Sequence, residues 1–230
     1  KALLKIKEFY DNDKNKKVRD SAAKSFNLIL GKHVEVAEHE LSSVLQNKKI
    51  NDELRKYERA DEARHLSDDI ETDVVDTVVK TVSRHFDVSK RYYELKAKLF
   101  RVPKLAYHER SVEYGKIDKK YNFEESVEII DRTLANLDPE FSNILDGFLT
   151  EGRVDVFPKK GKRSGAFCIY GLITNPSYIL LNYNNLLDDV RTFAHELGHG
   201  INDELMRKAQ NSLNFGTPTS TAEVASTFFE

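Results

Sequence analysis

His195 and His199 lie four positions apart in the segment AHELGHG, and Glu196 directly follows the first of them. On a helix this spacing places both imidazoles on one face, one turn apart. Two histidine nitrogens held in this way can bind one Zn²⁺ at about 2.0–2.1 Å each. The Glu196 carboxylate would lie beside the metal, where it can accept a proton from a water molecule. The motif therefore predicts a metal centre with Glu196 as its general base.

A catalytic zinc ion keeps three protein ligands and one open position, so a third ligand must come from elsewhere in the chain. Four carboxylates follow the motif: Asp203, Glu204, Glu223 and Glu230. Asp203 lies one turn beyond His199 and cannot easily fold back onto the same ion. Glu223 comes after a loop with glycine and proline, at the start of a new helix that can cross the first. We therefore predict that His195, His199 and Glu223 bind one Zn²⁺ per chain.

The HExxH motif fixes only three positions, so it can also occur by chance in a protein that binds no metal. With 7 histidines in 230 residues, a random match is expected in on the order of one chain in a hundred. The alternative to a metal centre is a surface helix with two solvent-exposed histidines. The surrounding pattern favours the metal centre, since Val190, Phe193, Leu197 and Ile201 form an apolar stripe typical of a packed helix. Gly198 would let another backbone or a substrate pass close to this helix.

The two parts of the chain differ in composition near residue 150. Few glycines and prolines occur before it, and apolar residues at three- and four-residue spacings predict helices over 18–46, 52–63, 71–99 and 123–137. After it, glycine and proline become frequent, and two β-like runs follow at 166–170 and 178–183. We therefore expect a mainly α protein, with a helical lobe over 1–150. We expect a small mixed α+β zinc-binding segment over 151–230. This segment carries the HExxH helix and is zincin-like, with glutamate as the third zinc ligand.

Composition excludes several classes of partner. A formal net charge of −2 provides no basic surplus, which argues against nucleic acid or anionic lipid as the main partner. No apolar run approaches the about 18–20 residues needed to cross a bilayer, and no signal peptide is recognisable, so we expect no membrane partner. The single cysteine, Cys168, excludes an internal disulfide framework and favours a cytoplasmic location. The last helix lacks a C-terminal stop signal, which predicts that the chain is part of a longer protein.

The segments AHELGHG and AEVASTFFE together resemble the oligoendopeptidase F branch of the thimet oligopeptidase family of zinc peptidases. The similarity extends upstream to RVDVFPKKGKRSGAF and YILLNYNNLLDDV, and more loosely to the helices back to Asp20. The resemblance implies that His195, His199 and Glu223 bind zinc and that Glu196 is the general base. It also implies a mostly helical fold around a deep channel that admits short peptides. Members of the family extend further in both directions and supply oxyanion-binding tyrosine and histidine residues after this point.

The same resemblance favours a strand at AFCIY, above the metal helix. A peptidase must hold an extended peptide across the metal, and an exposed strand edge does this through main-chain hydrogen bonds. We therefore predict that Ala166, Phe167 and Cys168 form this edge and bind the substrate with their backbone groups.

The expected function is a zinc endopeptidase that hydrolyses short oligopeptides, and the expected partners are the peptide and the rest of its own parent chain. Two alternatives stay open from the sequence. A zinc carboxypeptidase or dipeptidase could use the same metal, although no cationic residue in 151–230 stands out as a carboxylate holder. A helical interaction module with a structural HELGH segment would bind no substrate at all.

Overall fold

The computed structural model of this protein describes residues 15–115 and 119–230. The chain forms two compact units, and the division between them falls between these two ranges. The first unit contains the helices Lys16–Gly31 (α1), Val34–Arg55 (α2), Glu62–Ser67 (α3), Thr72–Arg84 (α4) and Phe86–Leu99 (α5), and a 3₁₀ turn at Tyr107–Glu109. The second contains the helices Phe123–Leu137 (α6), Pro139–Thr150 (α7), Leu187–Ala209 (α8), Thr219–Ala222 (α9) and Val224–Phe229 (α10), with the strands Val154–Asp155 (β1), Phe167–Ile169 (β2) and Tyr178–Leu180 (β3).

The division lies earlier than the boundary near residue 150 that composition predicts. Helices α6 and α7 resemble the preceding helices in composition, but they pack on α8 and share its core. Composition reports the type of local structure, whereas the boundary depends on which surfaces each helix covers. The helical part and the zinc segment are therefore not separate units at residue 150.

Local signals set several helix limits in the chain. The Asn122 side chain accepts the N–H of Glu125 at 2.7 Å, and Asp138 caps α7 by accepting the N–H of Glu140 at 2.8 Å. Pro139 occupies the first turn of α7, where the missing N–H costs nothing. The predicted helix over 123–137 is thus confirmed at both ends.

Other predicted helices are interrupted. The expected helix over 18–46 breaks after Gly31, and the one over 71–99 breaks at His85, where φ is −109° and ψ is 16°. The helix expected over 52–63 is wrong, because α2 ends at Arg55 and Lys56 adopts a left-handed conformation with φ of 59°.

In the first unit a buried ion pair joins α1 to the 3₁₀ turn, with Arg19 Nη2 3.1 Å from Glu109 Oε1.

The core of the second unit lies between α8 and the helix pair α6 and α7. The predicted stripe on α8 is buried, and Phe193, Leu197 and Ile201 are each at most 1% exposed. Facing side chains come from α6 and α7, among them Leu134 and Phe148. Burial of each such side chain is worth about 1.5–3 kcal/mol, so this core fixes α8 firmly in place. Helix α8 begins after the N-cap Leu186, whose N–H donates to the Asp189 carboxylate at 2.8 Å.

A small sheet with strand order β1-β3-β2 lies against α8. Strand β1 is parallel to β3, and β2 is antiparallel to it, with Cys168 opposite Ile179. The β2 and β3 strands are shorter than the predicted runs, and β1 had no sequence signal because it spans only two residues. The mainly helical architecture with a small sheet agrees with the predicted class. Within the described ranges, no helix is both long and apolar enough to cross a membrane.

Candidate metal centre

Helix α8 presents His195 and His199 from one face, as their spacing predicts. Their ring centroids are 5.1 Å apart and the rings are nearly perpendicular, at 87°. A single Glu223 oxygen lies 3.3 Å from Nε2 of His195 and 3.4 Å from Nε2 of His199. Candidate ligand atoms of all three residues lie within 4.8 Å of one another, and they form a potential metal-binding group among the described residues.

These separations fit a zinc ion well. Ligands at about 2.0–2.1 Å in a tetrahedron are about 3.3–3.4 Å from one another. The two distances between the Glu223 oxygen and the histidine nitrogens match this ligand-to-ligand distance. The donor set, two imidazoles and one carboxylate, is also one that catalytic zinc uses with an open fourth position. The three residues could therefore hold zinc with little movement.

Glu223 reaches the histidines because its segment crosses α8 at very close range. Glu223 stands at the break between α9 and α10, with φ of −96° and ψ of 6°. A Cβ atom on Gly198 would lie 2.7 Å from Cα of Ser226 and 2.8 Å from the carbonyl oxygen of Ala225. Only glycine allows this approach, so the expectation that another backbone passes at Gly198 is confirmed.

Ser226 orients the Glu223 carboxylate and had not been singled out from the sequence. Its fully buried hydroxyl donates to Glu223 Oε2 at 2.7 Å. This hydrogen bond, together with the neighbouring histidines, lowers the pKa of Glu223 and favours the ionised form that binds metals. The spacing of three residues on a helical turn is a signal that could have indicated this pair.

Glu196 occupies a different environment from the exposed carboxylates of the chain. Only 8% of the residue is accessible to solvent, and burial raises its pKa. Two features lower the pKa of Glu196 in turn: the neighbouring His195, and a hydrogen bond from the main-chain N–H of Cys168. A carboxyl group with a raised pKa is a better proton acceptor than an ordinary surface glutamate.

Strand β2 is an edge strand within the described part of the sheet, since its pairing there is with β3 alone. The N–H of Ile179 in β3 donates to Arg153 on the opposite side, so Cys168 and Ile179 form a pair without mutual hydrogen bonds. Cys168 therefore directs its main-chain groups to the open edge, and Ala166 does so by the same alternation. Phe167 directs its main-chain groups towards β3. Of the three predicted contact residues, Ala166 has both main-chain groups at the edge, whereas Cys168 has only its carbonyl available there, because its N–H donates to Glu196.

Asp203, which we did not expect to bind the metal, belongs to a buried polar cluster. It accepts a hydrogen bond from Ser177 Oγ at 2.9 Å and lies 3.8 Å from Cys168 Sγ. Burial raises the pKa of Asp203 to about 6, and burial likewise raises the pKa of the Cys168 thiol. Asp203 does not belong to the potential metal-binding group of the described residues. It ties β2 and the start of β3 to α8.

Comparisons with known proteins show which family the chain resembles. Residues 9–230 match the model of Peptidase family M3. Over 93% of the chain, the sequence is 30% identical to the chromosomal oligoendopeptidase F of Lactococcus lactis subsp. cremoris and to the oligopeptidase PepF of Bacillus subtilis strain 168. The chain spans 35% and 32% of the length of these two relatives. A solved structure of PZ peptidase A with an inhibitor has the same fold over 98% of the chain and 41% of its own, with a TM-score of 0.82 at 18% identity.

Proposed function

This chain belongs to peptidase family M3, as its resemblance to the oligoendopeptidase F branch predicted, and we propose that it carries the zinc centre of an endopeptidase acting on short oligopeptides. The observation that carries the proposal is the convergence of His195, His199 and Glu223, with a carboxylate oxygen at zinc-ligand spacing from both imidazoles. We propose these three residues as the ligands of one Zn²⁺.

Zinc, when bound, supplies a Lewis acid that polarises the scissile carbonyl and acidifies water. Glu196 follows the first ligand and takes the proton from the attacking water, then returns it to the leaving amine. Its burial supports this role, because burial raises the pKa of Glu196, and a more basic carboxylate accepts a proton from water more readily. General-base catalysis of this kind contributes about 10²- to 10⁴-fold to the rate.

The peptide would lie along the open edge of β2, held by the main-chain groups of Ala166 and the carbonyl of Cys168. The hydrogen bond between the Cys168 N–H and Glu196 supports this placement, because it puts the edge directly beside the proposed base. We leave Phe167 out of the contacts, since its main-chain groups face β3.

The chain spans 35% and 32% of the length of the two oligopeptidase relatives. We propose that the oxyanion-binding groups of the active site lie in a part of the protein outside this chain. Exposed apolar side chains on α4 and α5 support further covering segments, since Val78 is 57% exposed and Phe86 is 61% exposed. The cytoplasmic location also stays a proposal, based on the single cysteine.

The test of the metal site compares two carboxylate substitutions in the full-length protein that contains this chain. Glu223→Ala removes a proposed ligand and should abolish stoichiometric zinc binding. Asp203→Asn changes a nearby buried carboxylate that we exclude as a ligand and should leave the zinc content at one per chain. Elemental analysis after dialysis measures both. Equal zinc in wild type and Glu223→Ala would refute the assignment.

No observation in the structure favours the carboxypeptidase or dipeptidase alternative. Peptides with blocked and free C-termini distinguish it, because an exopeptidase requires the free carboxylate. Membership in a peptidase family argues against the purely structural interpretation of HELGH.

A further inference from the structure

The segment that supplies Glu223 also contacts the outer nitrogen of His195 and the ring of His199. Nδ1 of His195 lies 3.2 Å from Oε2 of Glu230, at the far end of α10. The ring of His199 hydrogen-bonds to the main-chain carbonyl of Ala222, immediately before Glu223. Each imidazole therefore has Nε2 facing the Glu223 carboxylate and a second acceptor from the same short segment.

Such acceptors decide which ring nitrogen carries the proton. A carboxylate or carbonyl can only accept, so it selects the tautomer with hydrogen on Nδ1 and leaves the Nε2 lone pair free. A metal ligand needs this free lone pair, and an ionised acceptor also makes the imidazole a stronger donor. The two histidines differ in this respect, because His195 faces a carboxylate and His199 a neutral carbonyl.

Glu230 is itself held in position by a cation on the metal helix. Arg191 lies one turn before His195 on α8, and its guanidinium pairs with Oε1 of Glu230. The two oxygens of Glu230 thus bridge successive turns of α8, one to Arg191 and one to His195. Phe229 supports the end of α10 from the other side by packing edge-on against Phe141, with ring centroids 5.2 Å apart.

From this geometry we infer that Glu230 is a positioning residue of the metal centre, which orients His195 and fixes its tautomer while Arg191 fixes Glu230. The inference rests on the proposed function, because it gives a role to Glu230 through a ligand of the proposed zinc ion. The segment Ala222–Glu230 then supplies one ligand directly and orients a second, His195.

The experiment compares Glu230→Ala with Asp188→Ala in the full-length protein. Both substitutions remove one negative charge near Arg191, but Asp188 lies 3.8 Å from that guanidinium and is 77% exposed in its side chain. Zinc affinity is measured by competition with a chromophoric chelator. Loss of an outer partner of a ligating histidine typically weakens metal binding by about 10- to 100-fold, and we expect this for Glu230→Ala. Asp188→Ala should stay within about twofold of wild type, since Asp188 contacts no ligand.

Glu230→Gln provides a second variant in case alanine disturbs α10. Its amide oxygen still accepts from Nδ1 of His195 but carries no charge for Arg191, so we expect an intermediate loss of affinity. Zinc affinity of Glu230→Ala equal to wild type, or an equal loss in Glu230→Ala and Asp188→Ala, would overturn the inference.

A measurement without metal separates this inference from the proposed function. Long-range ¹H–¹⁵N correlation of histidine-labelled, zinc-free protein reports the tautomer of His195 directly. We expect hydrogen on Nδ1 in wild type and a mixture of tautomers in Glu230→Ala. If wild-type protein bound no zinc, the proposed function would fail, while an unchanged tautomer in Glu230→Ala would independently refute the role of Glu230.

Discussion

Gly198→Ala should damage the metal centre without touching any ligand. The added Cβ would lie 2.7 Å from Cα of Ser226, whereas carbon atoms in ordinary contact are about 3.5–4.0 Å apart. The neighbouring atoms belong to the backbone, so no rotamer change can relieve the clash. The segment with Glu223 must therefore move away from α8 by about 0.8 Å or more.

This displacement is large on the scale of metal coordination. Ligand distances in zinc sites hold to within about 0.2 Å, so the Glu223 oxygen would leave the position where it now faces both histidines. We expect zinc affinity to fall by about 10- to 100-fold, as it does when the orientation of a ligand is lost. Overpacking should also lower the free energy of unfolding by about 1–3 kcal/mol.

Gly200→Ala is the matched control on the same helix. Its Cβ would meet the buried ring of Phe148 at 2.6 Å, on the side of α8 that faces α7. Both variants exchange glycine for alanine within α8, so the gain in helix propensity of about 1 kcal/mol is common to them. Both should lose stability, but only Gly198→Ala should lose zinc affinity in the chelator competition. Zinc binding within twofold of wild type in Gly198→Ala would show that the close crossing does not position Glu223.

Two further predictions concern carboxyl groups on α8. Glu196→Gln should keep its zinc and lower kcat for a short peptide by at least about 10²-fold, because an amide cannot accept the proton from water; turnover within threefold of wild type would exclude Glu196 as the base. Asp203→Asn should become more stable relative to wild type as pH rises from about 4 to 6. The folded pKa of Asp203 is about 6, above its ordinary value of 3.8, so ionisation of the buried carboxyl costs stability over that window. The rise in pKa sets an upper limit of about 3 kcal/mol, which urea unfolding of zinc-free protein at several pH values would measure, and a pH-independent difference would contradict the raised pKa.

Helix α8 could be predicted from sequence because its signals are local. His195 and His199 are one turn apart, and the apolar stripe through Leu197 shares the same 3.6-residue period. Side-chain direction on a helix follows from these spacings without knowledge of the rest of the fold. The cap at Asn122 is equally local, because capping joins residues only three positions apart.

Partners that are distant in sequence could not be predicted in this way. Arg191 and Glu230 are 39 residues apart, and Cys168 and Asp203 are 35 apart. Their contacts depend on how α10 crosses α8 and on the height of β2 above it. The break at His85 is similar, because the apolar residues before and after it continue one helical pattern, with Val82 and Phe86 four positions apart.

Helices α9 and α10 have only four and six residues, which is too short for stability on their own in water. Their conformation must therefore come from tertiary contacts, and the closest of these is the crossing at Gly198. Glu223 and Glu230, at the two ends of α10, then reach two consecutive turns of α8. Because this short segment carries both the proposed ligand Glu223 and Glu230, the acceptor for His195, we expect its ordering and the assembly of the metal site to be coupled. Zinc bound there would stabilise the segment in return, since a metal that binds only the folded form adds its binding free energy to the stability of that form.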